Sequence, residues 1–184
     1  MRRMLCLAAG LMLLCGCGVA AKEPDHMALV RVLGVDGAGP VELTAVCGGT
    51  DQENQSRGAC TGTDFEAARG KLPWSGDIEL ALVSVSYLLV GCDTDLEQLL
   101  QAVLEDAELG ATATVWLTGD AGELLAESDD PASELELLTR SGVAAPTVAE
   151  AYAQLCAGRA VALPRLQGQN GRLICVGDGM WTRR

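Results

Sequence analysis

The chain has 184 residues, of which 49% are hydrophobic and 21% charged, and its formal net charge is −12. So acidic a chain repels the phosphates of nucleic acids and anionic lipid headgroups, which excludes a DNA- or RNA-binding role. The length suits one domain with a substantial buried core.

The amino terminus has the composition of a secretory signal. Arg2 and Arg3 form a short positive start, and residues 5–14 are apolar or small at every position. This run is too short for a hydrocarbon core of about 30 Å, which needs about 20 helical residues. It suits the apolar region of a signal peptide, so we predict that residues 1–16 are removed.

The apolar run ends in Leu14-Cys15-Gly16-Cys17, which reads as a lipobox. The modification needs a thiol, because only a thiolate is nucleophilic enough to take a diacylglyceryl group. The alternative is an ordinary signal peptide with an incidental cysteine, but this motif directly after an apolar run favours lipidation of Cys17. Two or three acyl chains would hold the protein firmly on the extracytoplasmic face of a membrane.

Cleavage would leave residues 17–27 as the lipidated cysteine and a linker, and residues 28–184 as the domain. Loss of two arginines leaves 11 of the 13 basic residues against 25 acidic ones, a net charge of −14. That charge should hold the domain off the bilayer while the anchor keeps it near.

The domain opens with the pattern of a β-hairpin. Residues 28–35 are aliphatic and β-branched, and residues 41–47 alternate between apolar and polar side chains. Turn residues at 36–40 join them. The pair Gly37-x-Gly39 lacks the third glycine and the following helix of a nucleotide-binding loop, so the turn is the better interpretation.

A loop, a short helix and a central strand are predicted next. Residues 48–62 are polar and rich in glycine, which favours a loop. A capping box over residues 63–66 predicts a helix to about Lys71. Residues 79–91 are almost continuously apolar, which is typical of a central strand covered on both faces.

The clearest helix signal covers residues 93–109, opened by a capping box that starts at Thr94 and marked by one apolar stripe. A strand pattern at 111–117 follows, so the segment from 79 to 117 predicts a βαβ-type crossover. Asp93 and Asp95 lie at the helix start, where the helix dipole alone accounts for them.

Further helices are predicted around residues 121–126, from a cap at Ser133 to Arg140, and from a cap at Thr147. Two closing strands, 161–166 and 172–176, flank a turn at 168–171. The predicted fold class is α/β (α+β): a single domain with a mixed β-sheet, an N-terminal hairpin and flanking helices.

Five cysteines remain after Cys17, and neither their number nor their wide spacing suits a zinc site. One or two disulfides among them are an alternative, because disulfides form in extracytoplasmic proteins. Several of these cysteines lie in apolar runs, which favours small core residues over a disulfide. The five are Cys47, Cys60, Cys92, Cys156 and Cys175.

The sequence argues against an enzyme. The one histidine, His26, lies in the linker, where a precisely oriented base is poorly supported. The acidic pairs Asp129-Asp130 and Glu134/Glu136 are typical of solvated faces or helix caps. No phosphate-binding loop, metal-ligand cluster or dinucleotide motif is present, so no catalytic residue, metal or cofactor is predicted.

Several stretches resemble the N-terminal region of the C subunit of spore germination receptors, the Ger(x)C lipoproteins. They are HMALVRVLGVDGAGPVELTAV, FEAARGKLPW leading into ELALVSVSYLLVG, LEQLLQAVLEDAELGATATVWL, and GRAVALPRL followed by GRLICVGDGM. Members of that family usually have Trp-Asp after the lipidated cysteine and are about twice as long, whereas Cys17 here is followed by Gly18-Val19.

The resemblance implies a non-enzymatic, lipid-anchored part of a nutrient receptor in the inner spore membrane. Its partners would be integral membrane receptor subunits, and it would act by protein–protein contact in germinant sensing. A generic extracytoplasmic solute- or peptide-binding lipoprotein is the alternative, although one Phe, three Trp and two Tyr offer little to line an aromatic pocket.

The lipobox generates the first prediction. Cys17→Ala should leave the domain folded but release the protein from membranes, because the acyl chains supply the binding energy. Membrane fractionation tests the release of the protein, and circular dichroism of the released protein tests whether the domain is still folded. Full activity from a protein that no longer sediments with membranes would contradict the assigned role of the anchor.

Overall fold

A computed structural model describes residues 27–48, 57–72, 74–75 and 78–182 of the chain. The predicted signal peptide, Cys17 and the linker up to His26 lie outside these residues, whereas Met27, the last residue of the predicted linker, lies within them. In the described part, no helix is long and apolar enough to cross a membrane.

The predicted N-terminal hairpin is confirmed. Strand β1 (Met27–Asp36) pairs in antiparallel fashion with β2 (Val41–Cys47), with Asp36 opposite Glu42 at the turn. A bulge between Val30 and Val32 shifts the register, so Val30 and Leu33 face one side of the sheet and Val32 the other.

The prediction of a loop at 48–62 is wrong for its second half, and residues 49–56 lie outside the described part. Residues Arg57–Gly62 form β3, which pairs in antiparallel fashion with β2. The sequence RGACTG has weak strand propensity. β3 forms because it pairs with the free edge of β2, although its own composition does not favour a strand.

A short helix, α1 (Phe65–Arg69), follows β3 as expected, but its cap lies one residue later than predicted. The Asp64 carboxylate, not the Thr63 hydroxyl, accepts the N–H of Ala67 at 2.8 Å. The helix buries Phe65 and Ala68 against the sheet.

The predicted long strand at 79–91 is broken. Strand β4 (Trp74–Ser75) pairs with β5 (Ile78–Ala81), a single 3₁₀ turn occupies Leu82–Ser84, and β6 (Tyr87–Gly91) follows. Periodicity cannot reveal this break, because the 3₁₀ turn is as apolar as the strands around it. Every residue of β6 is buried, which confirms a central strand covered on both faces.

The crossover prediction is confirmed. Helix α2 (Leu96–Glu105) links β6 to the parallel strand β7 (Thr114–Thr118). Asp95 caps α2 by accepting the N–H of Gln98, so the predicted cap at Thr94 is off by one residue. The buried stripe consists of Leu96, Leu99, Leu100 and Val103.

Three helices and a hairpin follow in the described part of the chain. They are α3 (Ala121–Glu127), α4 (Pro131–Arg140), α5 (Val148–Cys156), β8 (Val161–Gln169) and β9 (Arg172–Trp181). The capping box of α5 is present as predicted, whereas α4 begins earlier, capped by Asp130. The β8–β9 turn places Asn170 and Gly171 at positive φ, as a two-residue hairpin turn demands.

The strands form one mixed sheet in the order β3-β2-β1-β6-β7-β8-β9, with β5 also paired to the start of β1. The apolar residues of α1, α2 and α5 cover one face, and those of α3 and α4 cover the other. This three-layer arrangement confirms the predicted class: an α/β domain with a mixed sheet, an N-terminal hairpin and flanking helices.

Gly62 tests how tightly α1 packs on the sheet. A Cβ at Gly62 would lie 2.2 Å from the backbone nitrogen of Ala68 and 2.6 Å from the carbonyl carbon of Ala67. Backbone cannot yield as a flexible side chain does, so Gly62→Ala should destabilise the fold by about 1–3 kcal/mol. Chemical denaturation of the full chain in a non-ionic detergent measures this loss.

Gly119→Ala is the matched control, because a Cβ there would meet nothing within 4 Å. Its unfolding free energy should stay within about 0.5 kcal/mol of the parent. Equal losses from the two substitutions would mean that glycine conformational freedom, and not the contact with α1, sets the cost.

Candidate functional site

A crevice opens where the chain leaves the carboxyl ends of β1 and β6. These neighbouring strands are parallel, with Val35 opposite Val90. After β1 the chain turns back into β2, on one side, and after β6 it crosses through α2 to β7, on the other side. Such a divergence of connections leaves a gap at the sheet edge, which is where ligands bind in open α/β sheets.

Asp36, the last residue of β1, holds this edge together. Its two carboxylate oxygens accept the backbone N–H groups of Ala121 and Gly122 at 2.8 and 2.9 Å, at the start of α3. A Cβ on Gly91 would lie 2.1 Å from the nearer oxygen. Glycine at the end of β6 therefore leaves the room in which this carboxylate sits.

The β6–α2 loop is tied to the β1–β2 turn from the other side. The hydroxyl of buried Thr94 donates to the carbonyl of Val35 at 3.2 Å, and the Asp93 carboxylate accepts the N–H of Gly37 at 3.2 Å. Gly37 has φ of 83° and Gly39 has φ of 150°. Both angles suit glycine, which confirms that this pair serves a turn.

Burial raises the pKa of Asp36 above its ordinary value of 3.8, and the nearby carboxylates of Asp120 and Asp93 raise it further. The hydrogen bonds from Ala121 and Gly122 favour the charged form and oppose this rise. Desolvation is the largest of these effects, so Asp36 takes up a proton more readily than an exposed aspartate.

Three adjoining cavities run from this edge along α2, and together we call them the edge groove. The first, of about 410 Å³, lies between the β1–β2 turn, the start of α1 and α2. A second, of about 240 Å³, shares Ala38, Thr94 and Asp95 with the first. A third, of about 360 Å³, shares Phe65, Glu66, Ala102 and Glu105 with the first.

The edge groove is lined by carboxylates above an apolar floor. Val35, Val41 and Leu99 are buried beneath the first cavity. Among the described residues that line the three cavities, Arg69 alone is positively charged, and it is paired with Asp106 at 2.6 Å and Glu108 at 2.8 Å. The acidic lining residues are Asp64, Glu66, Asp93, Asp95, Glu97, Glu105, Asp106 and Glu108.

These carboxylates are spread along the groove. Within the described ranges, no three His, Cys, Asp or Glu side chains are placed to hold one metal ion. Asp64 and Asp95 are oriented by the backbone N–H groups that they cap, and Glu105 by the side-chain amide of Gln101 at 2.9 Å.

The acidic pairs singled out in the sequence lie away from this groove, and Asp129 is exposed. Asp130 caps α4, and Glu136 pairs with Arg140 one helical turn away. Glu134 accepts the N–H of Leu173 at 2.8 Å and the hydroxyl of Ser128 at 2.9 Å. It therefore joins α4 to β9.

The five described cysteines are free thiols. Cys47 is a core residue, as expected, and burial raises the pKa of its thiol to about 11, so it stays protonated and unreactive at neutral pH. Cys92 and Cys156 are exposed, so these two are not core residues. Cys92 lies in the turn after β6 and Cys156 is the last residue of α5, and at such ends of elements local hydrophobicity does not decide burial.

Asp36 and the groove carboxylates were not identified from sequence. The dipole of α2 accounts for Asp95, which caps this helix, whereas the Asp93 carboxylate binds the β1–β2 turn. An aspartate directly after an apolar strand was the available signal for Asp36. Its partners on α3, 85 and 86 residues away, could not be found from local pattern.

Comparison with known proteins gives one structural similarity. The chain is similar to the crystal structure of the GerBC protein, with a TM-score of 0.43 and 14% sequence identity. The match covers 82% of this chain and 48% of that one, so the chain spans about half its length. No family model matches the chain, and no curated protein matches it.

The raised pKa of Asp36 gives a pH-dependent prediction. As the pH falls, the folded state binds a proton at Asp36 before the unfolded chain does, so acidification stabilises the fold through this residue. Asp36→Asn removes the titration. The unfolding free energy of the parent minus that of the variant should therefore rise as the pH falls from 7 to 4.

Thermal or urea unfolding of both proteins at several pH values measures this difference, in which the titrating groups that do not interact with Asp36 cancel. Asp178→Asn, on an exposed position of β9, serves as the control for the loss of one carboxylate. A difference for Asp36→Asn that shrinks as the pH falls would show that the hydrogen bonds outweigh burial.

Proposed function

We propose that this chain is a lipid-anchored extracytoplasmic domain that acts by protein–protein contact, as the C subunit of a spore germination receptor does. The observation that carries the proposal is the order of the segments that resemble this family. They form, in turn, the β1–β2 hairpin, α1 with β5 and β6, α2 with β7, and the β8–β9 hairpin of one sheet. Each sequence resemblance is weak by itself. Because they occur in the same order as the successive elements of one fold, they support one another.

The lipobox supports the same proposal. A domain held at a membrane by lipid on Cys17 would meet integral membrane subunits in two dimensions, which raises their effective concentration. Its net charge would keep the folded part away from anionic headgroups and available to a protein partner. No catalytic role is proposed.

The outer edge of β9 offers a surface for such a partner. This strand stands last in the described order of the sheet. Val176 and Met180 on it are 46% and 66% exposed. An edge strand has unpaired backbone groups, and exposed apolar side chains beside them favour contact with another chain.

A complementation experiment tests the proposal. Spores of a strain lacking the gene should respond poorly to nutrients, the parent gene should restore the response, and Cys17→Ala should not. Cys15→Ala is the matched control, since it removes the neighbouring thiol and keeps the acceptor cysteine. Absence of the protein from the spore membrane fraction, with expression confined to vegetative growth, would refute the proposal.

The edge groove favours a second candidate, a solute-binding lipoprotein. Its first cavity of about 410 Å³ falls in the size range of small-molecule sites. A ligand that binds the folded state raises the unfolding temperature with its concentration. Concentration-dependent shifts across a panel of nutrients, in a protein that spores do not need for germination, would favour this candidate.

A further inference from the structure

We draw no further inference here: the strongest candidate, the apolar surface patch formed by Leu29 of β1 and Val83 of the adjoining 3₁₀ turn, which are 49% and 70% exposed, carries nothing, because nothing in the described part of the chain shows what covers it.

Discussion

The pairing of β1 with β6 is the contact on which the rest of the structure depends. It joins an antiparallel part of the sheet, β3-β2-β1, to the part built by crossovers, from β6 onward. Both strands are buried on both faces, so each presents side chains to two helical layers. The two parts of the chain could not share a core without this pairing, and the crevice at its carboxyl end would not exist.

Asp36 extends that pairing beyond the strands. Its carboxylate, at the end of β1, accepts hydrogen bonds from the first turn of α3. On the other side, Thr94 and Asp93 join the β6–α2 loop to the end of β1 and the turn after it. These hydrogen bonds use backbone donors and acceptors that would otherwise be unsatisfied at strand and helix ends. The edge of the sheet is therefore held in a defined shape by few groups.

The excess of acidic residues has a structural as well as an electrostatic meaning. Asp64, Asp95, Asp120 and Asp130 each cap a helix, so their charges are balanced by backbone N–H groups and helix dipoles. Helices that begin at one edge of a sheet bring their caps to that edge. Two of these caps, Asp64 and Asp95, consequently line the edge groove and contribute to its excess of negative charge.

Local pattern was a good guide to element type and a poorer guide to element ends. The hairpin at β1–β2, the amphipathic α2 and the capping box of α5 were all evident, because each depends on neighbours within a few residues. Caps at α1, α2 and α4 were misplaced, since Ser, Thr and Asp compete for the same role at adjacent positions. Strand β3 and the break before β6 were missed because pairing partners and burial, not propensity, decide them.

The sequence by itself determined the class of fold, the acidic character and the expected anchor at Cys17. Composition, periodicity and a short motif carry that information without reference to distant residues. Only the tertiary structure decided that β1 lies beside β6, that Asp36 meets α3, and that carboxylates from α1 and α2 face one groove. Such contacts join residues tens of positions apart, and their free energy depends on burial and geometry that exist only after the chain has folded.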